Sequence, residues 1–304
     1  MSLVLNETAA FLQDQTQRFA REKTPTSHFR SVRDSENPEC FDREIWKQMA
    51  EQGLSGILIP EEYGGSNFGL SGIGVVLQEL GRTLTPSPLF ATAVLGASLI
   101  SKLGSEEQKK KYLPEIANGN LTCAFAFEEG PRHNPIVSEV TAEKKGDKFL
   151  INGKKCFVVD GGFADLIIIA AKSPKGTSLF ITNKNSKGME IKEAKMVDSR
   201  NSANIIFTDL EVNSENVLGE IDNAQDTIEE VLDIARAAIS AEMLGGALEA
   251  FEITINYLKE REQFGVKIGS FQALQHRAAN MFTELELCKS CILESLSCFE
   301  EKSN

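Results

Sequence analysis

Apolar positions recur at helical spacing through the first third of the chain. Phe11, Leu12 and Phe19 sit among Gln, Asp and Arg, and Ile45, Trp46, Met49 and Leu54 repeat the pattern. The stretch Pro60-Glu61-Glu62-Tyr63-Gly64-Gly65 cannot continue a helix and breaks the run. Helical spacing resumes at Ile73, Val76, Leu77 and Leu80 and continues from Leu89 to Leu103. It restarts behind Ser105, which with Gln108 three residues on forms a capping-box pattern. Near Leu121 the texture changes to short β-branched and aromatic runs: Ala124–Phe127, Val137–Glu143, Lys148–Ile151, Cys156–Val159, Leu166–Ala171, Ser178–Ile181 and Asn204–Phe207. Lys145-Gly146-Asp147 reads as a hairpin turn between two of them. After Gly219 the helical period returns in one apolar stripe from Ile228 to Leu258, interrupted only near Gly245-Gly246 and longer than an ordinary surface helix. Gly265–Gly269 then predicts a turn, and Phe271 to about Glu300 a partner helix.

This order predicts an α+β fold in three parts. They are an N-terminal helical domain over 1–120, a middle antiparallel β domain over 121–218, and a C-terminal helical bundle over 219–304 that is incomplete, with at least two long helices. A bundle normally has about four helices. The missing cover is therefore expected from another subunit or from sequence beyond Asn304, the chain then being shorter than the natural one. Charge narrows the partners. Forty-four acidic against 32 basic residues give a net −12, which argues against nucleic acid and anionic membrane surfaces. No window approaches about 18 consecutive apolar residues, so no membrane span is expected. The N-terminus carries no export or organelle address, and six cysteines make no disulfide framework in a chain of 304, so a cytoplasmic location is expected.

Short catalytic motifs are thin. Cys288-Lys-Ser-Cys291 has the spacing of half a zinc site, but about four ligands are needed and no second pair is near, so no metal is expected and the helical cysteines, Cys298 included, are expected to pack. His28, His133 and His276 are scattered, and no Ser-His-Asp set can be named. Lys109-Lys110-Lys111 reads as a solvated helix face. Gly69-Leu-Ser-Gly72-Ile-Gly74 is not a dinucleotide fingerprint, and Gly153-Lys154-Lys155 lacks the parts of a P-loop.

Longer matches carry more. Phe41-Asp-Arg-Glu-Ile-Trp46 through Gly53-Leu54 and Ile59-Pro60-Glu61-Glu62-Tyr63-Gly64-Gly65 resembles the N-terminal signature of the acyl-CoA dehydrogenase family, as does Gly104-Ser-Glu-Glu-Gln108 through Tyr112-Leu113-Pro114 and Gly119. Ile151-Asn152-Gly153-Lys154 and Phe207-Thr-Asp209-Leu-Glu-Val212 follow in family order. Arg261-Glu262-Gln263-Phe264-Gly265, Phe271-Gln272 and Gln275-His276 resemble the family's flavin motif. The resemblance implies FAD as cofactor and an acyl-CoA thioester as substrate, oxidised to its 2,3-enoyl form. A carboxylate base would take the α-proton and the flavin the hydride. It assigns Arg261 to the FAD pyrophosphate, with Phe264 and Gln272 on the adenylate side across a dimer interface. Phe125, Phe127, Phe157 and Val159 would lie on the flavin side, and Asp233 and Arg236 on the substrate side, where an i,i+3 ion pair is the plainer reading.

The departures define a branch. Phe127 stands where the family has Thr, and Phe157-Val158-Val159 where it has Trp-Ile-Thr, so two hydroxyls are lost. Each lost bond costs about 0.5–1.5 kcal/mol net, which weakens flavin binding without forbidding it. Asp198-Ser199-Arg200 replaces the usual arginine after Lys195-Met196. Ala235 fills the place where some relatives carry the base, so no catalytic residue is identifiable; the family's usual glutamate lies beyond Asn304. This pattern resembles the small, non-catalytic subunits of heteromeric bacterial acyl-CoA dehydrogenases of fatty acid or steroid side-chain catabolism. It implies a homo- or hetero-oligomer with another acyl-CoA dehydrogenase subunit, with electron-transferring flavoprotein as acceptor by analogy. Three readings stay open: an active flavoprotein, an inactive structural or regulatory subunit, and a truncated gene product.

Overall fold

A computed structural model describes Leu5 and Glu7–Ser303. The chain forms α1 (Glu7–Lys23), α2 (Thr26–Asp34), α3 (Arg43–Glu51), α4 (Gly69–Thr83), α5 (Ala97–Leu103) and α6 (Glu106–Ala117), a π-helical stretch at Phe90–Gly96 leading into α5. The strands are β1 (Cys123–Ala126), β2 (Thr141–Lys145), β3 (Lys148–Val159), β4 (Leu166–Lys172), β5 (Thr177–Asn183), β6 (Met189–Lys195), β7 (Asn201–Asn213) and β8 (Val217–Leu218). Helix α7 (Gln225–Glu260), a small hairpin of β9 (Glu262–Gln263) and β10 (Val266–Lys267), and α8 (Gln272–Ser303) follow. Among the described residues no helix is long and apolar enough to cross a membrane.

These elements form two compact units. One contains α1, α4, the part of α7 from Arg236 onward, the β9–β10 hairpin and α8. Its α1 lays Leu12, Thr16 and Phe19 inward. The carboxylate of Glu79 on α4, buried there, accepts from Gln13 Nε2 at 2.8 Å and Gln17 Nε2 at 3.3 Å on α1. Arg82, one turn on, pairs with Glu79, Glu249 and Glu252, tying α4 to α7.

Gly245-Gly246 interrupts the apolar stripe but not the helix, and α7 runs through as the one long helix read from sequence. A glycine costs about 1 kcal/mol in a helix interior, but here it permits backbone contact. A Cβ on Gly245 would stand 1.9 Å from Gln78 O, and one on Gly81 would stand 2.2 Å from Glu242 O. The two helices touch main chain to main chain.

The other unit holds α3, α5, α6, the sheet and the first turns of α7. The sheet runs β6-β7-β3-β2-β4-β5-β8, mostly antiparallel, with β1 parallel beside β4. Its core is Val140, Phe149, Ile151, Val158, Ile167, Ile169, Phe180, Ile205, Phe207 and Leu210. Gly146 and Asp147 form the turn between β2 and β3, as read from sequence. The capping box is present: Ser105 Oγ accepts from Gln108 N–H at 3.2 Å, and Gln108 Oε1 from Ser105 N–H at 3.0 Å.

Three strand expectations shift. Lys148–Ile151 and Cys156–Val159 join into one strand, β3, which crosses two register shifts against β7, between Ile151 and Gly153 and between Lys155 and Val158. Residues 137–140 form a loop, because their amides bond a carboxylate rather than a neighbouring strand. Strand β6 was not anticipated: on this edge strand of Met-Glu-Ile-Lys-Glu-Ala-Lys only Met189 and Ile191 pack, half-buried, against the core, too short a period-2 run to mark a strand.

Gly245→Ala should destabilise the chain by about 1–3 kcal/mol through overpacking. Gly246→Ala, whose new Cβ would meet nothing nearer than 3.6 Å, should be neutral or stabilising by up to about 1 kcal/mol. Urea unfolding of the two variants against the parent measures the difference.

Candidate functional site

In the sheet unit the residues read from sequence as flavin-side fall into two groups. Phe125 and Phe127 on and just after β1 are buried, their rings 5.5 Å apart, and His133 lies 6.2 Å from the Phe127 ring. Phe157 is 55% exposed and stands at φ +50°, a left-handed conformation uncommon for a bulky residue. The register shift after Lys155 produces this outward turn. Val159 closes the strand, half-buried.

Phe157 lines a cavity of about 730 Å³, in the size range of small-molecule pockets. One wall is the segment after β1: Glu128, Gly130, Pro131, Arg132 and His133. A second wall is β3, through Lys154, Cys156 and Phe157. Ala194, Met196, Ser202 and Asn204 of the β6–β7 region complete it. His133 Nδ1 donates to Glu128 Oε1 at 2.6 Å, while Glu128 Oε2 is buried with no hydrogen-bond partner among the described residues. A buried acceptor without a donor suits a ligand that brings hydroxyl or ring N–H groups, as the ribityl chain and ring of a flavin do.

Behind this lining stands a charged pair the sequence reading missed. Lys155 has no exposed surface; its Nζ donates to Phe127 O at 2.8 Å and to Glu129 Oε1 at 3.0 Å. Glu129 in turn accepts from the backbone N–H groups of Ser138 (2.8 Å), Glu139 (2.9 Å) and Val140 (2.9 Å). Burial pulls the Lys155 ammonium down to about 8 against the attraction of Glu129. Burial pushes the Glu129 carboxyl up, but the three amides and Lys155 outweigh it and hold it below the usual carboxylate range. A signal was available: Phe149 and Ile151 face inward on β3, and the same parity places Lys155 inward.

In the helical unit, Arg261 and Phe264 lie on the connection between α7 and α8, and Gln272 is the first residue of α8. All three are exposed, Phe264 by 91%. Phe264-Gly265 is a two-residue hairpin loop with both φ positive, +55° and +76°. That geometry favours Asn-Gly or Gly-Gly, not phenylalanine. Phe271 meets Phe264 edge-on with ring centroids 6.2 Å apart, and Ile268 N–H closes the connection on Arg261 O at 2.9 Å. Asp233 and Arg236 lie on α7 with exposed side chains.

Cys288 and Cys291 are exposed and Cys298 half-buried, correcting the expectation that these cysteines pack. They sit on α8 beside an apolar groove shared with Met243 and Leu244 of α7. The α7 stripe read from sequence, Ile228 to Leu258, is buried or half-buried throughout; other apolar side chains of α7 and α8 are uncovered, and Met243, Ile253, Tyr257, Phe282 and Leu287 are all more than half exposed.

Three family models match in order: the acyl-CoA dehydrogenase N-terminal domain over residues 6–120, the middle domain over 128–210 and the C-terminal domain over 226–303. Isovaleryl-CoA dehydrogenase, mitochondrial, of Pongo abelii is 32% identical over 95% of this chain and 69% of its own length. This chain belongs to the acyl-CoA dehydrogenase family. The helix–sheet–helix order read from sequence is that of the acyl-CoA dehydrogenase fold, and homologues in the family are FAD-dependent oxidoreductases. Among solved structures, the Tcur3481-Tcur3483 steroid ACAD G363A variant matches with a TM-score of 0.87 at 30% identity, covering 97% of this chain and 78% of that one. A chain in the structure of the electron transferring flavoprotein of Acidaminococcus fermentans matches with a TM-score of 0.88 at 33% identity, covering 99% and 81%.

Lys155→Met leaves Glu129 buried without its cation and should cost about 3–5 kcal/mol. Adding Glu129→Leu should not restore stability, because the amides of 138–140 would then lose their acceptor. The folded chain releases the Lys155 proton near 8 and the unfolded chain near the ordinary value of about 10.4. The group's contribution to stability therefore rises with pH across that window. Urea unfolding at both ends of the window should register this rise in the parent and not in Lys155→Met.

Proposed function

We propose that this chain is an FAD-binding subunit of an acyl-CoA dehydrogenase, working on an acyl-CoA thioester within a homo- or hetero-oligomer. When bound, FAD supplies the hydride acceptor for α,β-dehydrogenation of the acyl group. One observation carries the reading: a strained, fully presented Phe264 on the same exposed connection as Arg261, with Gln272 opening α8 after it. An aromatic ring held outward at positive φ works against the stability of the isolated chain, and such strain persists where a site uses it. Arg261 offers a planar guanidinium for a pyrophosphate, and Phe264 a face for stacking. In the sheet unit, Phe157 and Met196 supply apolar contact to the flavin ring, and the unpartnered Glu128 carboxylate oxygen accepts from its polar groups. Asp233 and Arg236 face the CoA chain in this reading. Electron-transferring flavoprotein is the proposed redox partner, supported by the 33% likeness above.

A second reading is an FAD-holding subunit that does not turn over. Ala235 on α7 favours it, since an alanine cannot take the α-proton, and a positioned base contributes typically 10²–10⁴-fold. Purified chain that carries visible flavin absorbance supports FAD binding in both readings, and a colourless chain that takes up no added FAD refutes both. Anaerobic addition of acyl-CoA separates them: bleaching means turnover by this chain, and an unbleached flavin means a non-catalytic subunit.

Arg261→Ala should weaken FAD binding by roughly 10- to 150-fold, the loss of a charged hydrogen bond. Phe264→Asn should weaken it by roughly 2- to 12-fold while raising fold stability by about 1 kcal/mol, because asparagine suits the left-handed turn. Flavin fluorescence titration and thermal unfolding on the same samples check the two opposite signs.

A further inference from the structure

Residues 129 and 155 are the members of the two pocket walls that turn away from the cavity. Glu128 and Gly130 line it, and so do Lys154 and Cys156, while Glu129 and Lys155 meet behind it at 3.0 Å. Two further contacts join the same walls: Cys156 N–H donates to Glu128 O at 2.7 Å, and Cys156 Sγ lies 3.5 Å from Glu129 O. Beyond the walls, the Glu129 carboxylate gathers the amides of 138–140, so one side chain anchors both ends of the 128–140 segment. Lys155 Nζ also fixes the carbonyl of Phe127 and lies 5.9 Å from its ring. The charged and titratable groups facing Lys155 are Glu129, Glu128 and Cys156.

The geometry points to the Lys155–Glu129 pair as a clamp that sets the separation of the two walls and so positions Glu128, His133 and Phe157 toward the flavin. These are positioning residues, since neither lines the cavity. The flavin part rests on the function proposed above; the clamp itself does not.

The test uses the full chain and Glu129→Gln, which keeps the side chain's size and one acceptor oxygen but removes its charge. Hydrogen exchange is followed by mass spectrometry across 128–140, and FAD binding by fluorescence titration and visible circular dichroism of the bound flavin. The expected result is exchange of the Ser138, Glu139 and Val140 amides faster by about tenfold or more, FAD affinity lower by about tenfold or more, and an altered flavin dichroism. Lys155→Arg, still cationic, should bind FAD within about threefold of the parent, where Lys155→Met does not. Glu211→Gln, on the exposed pair with Lys148 in the same sheet, should change nothing, as surface pairs contribute little. Unchanged exchange in Glu129→Gln overturns the clamp. Faster exchange with parental FAD affinity and dichroism overturns its positioning role. If the parent itself takes up no FAD, the proposed function fails and exchange alone decides the clamp.

Discussion

An ammonium group with no exposed surface sets the terms for the sheet unit. Lys155 cannot remain charged in the interior without partners, because an unpaired buried ion is far costlier than a buried dipole. Its partners are therefore dictated: a carbonyl at Phe127 and a carboxylate at Glu129. Glu129 has capacity left over and fills it with three consecutive amides, which explains why residues 137–140 form no strand although they are rich enough in apolar residues to suggest one. The register shift that follows Lys155 then lets β3 turn Phe157 outward. Loop path, strand register and pocket lining descend from the placement of one charge.

The helical unit shows the opposite imbalance. There the exception is apolar surface without cover, from Met243 and Ile253 through Phe264 to Phe282 and Leu287. Patches of this kind on a folded chain mark surfaces that meet something else. Phe264 adds backbone strain to exposure, and the turn would be better served by almost any residue that tolerates the left-handed region. Local rules are broken in both units where a site is proposed, and kept across the β2–β3 turn, the α6 capping box and the buried β4 strand. That is the distribution expected when function rather than folding selects the exceptions.

The sequence disclosed the layout because the layout rests on periodicity. The stripes of α4 and α7 and the buried run of β4, Leu166–Ala171, are visible without any knowledge of what they touch. What stayed hidden depends on pairing across distance. Nothing local says that Gly245 meets the backbone of Gln78, so two adjacent glycines read as a gap in the apolar stripe rather than as a contact surface. Edge strand β6 packs only Met189 and Ile191 against the core, too little to announce it. Arg261, Phe264 and Gln272 were legible only through the resemblance to the family's motif, although the hairpin turn between them was visible in Gly265. Glu129 and Lys155, 26 positions apart, needed both the β3 parity and the loop path to be seen together. Cys288 and Cys291 misled for a related reason: buriedness is typical of free cysteine, but these two line an open groove beside α7 and stay exposed.

The resemblance to the family implies hydroxyl residues at positions 127 and 159, and the surroundings of Phe127 bear on the first of them. The Phe127 ring packs against Phe125 and near His133, and its carbonyl is taken by Lys155, so this strand end is held by backbone and by packing rather than by the side chain's polarity. A hydroxyl there could be exchanged for a ring without disturbing the scaffold. The supports of the fold and the contacts toward a ligand are thus carried by different atoms of the same residues. A chain built this way keeps a TM-score of 0.87 against a solved structure at 30% identity, as expected where the fold rests on backbone and packing rather than on polar side chains at one strand end.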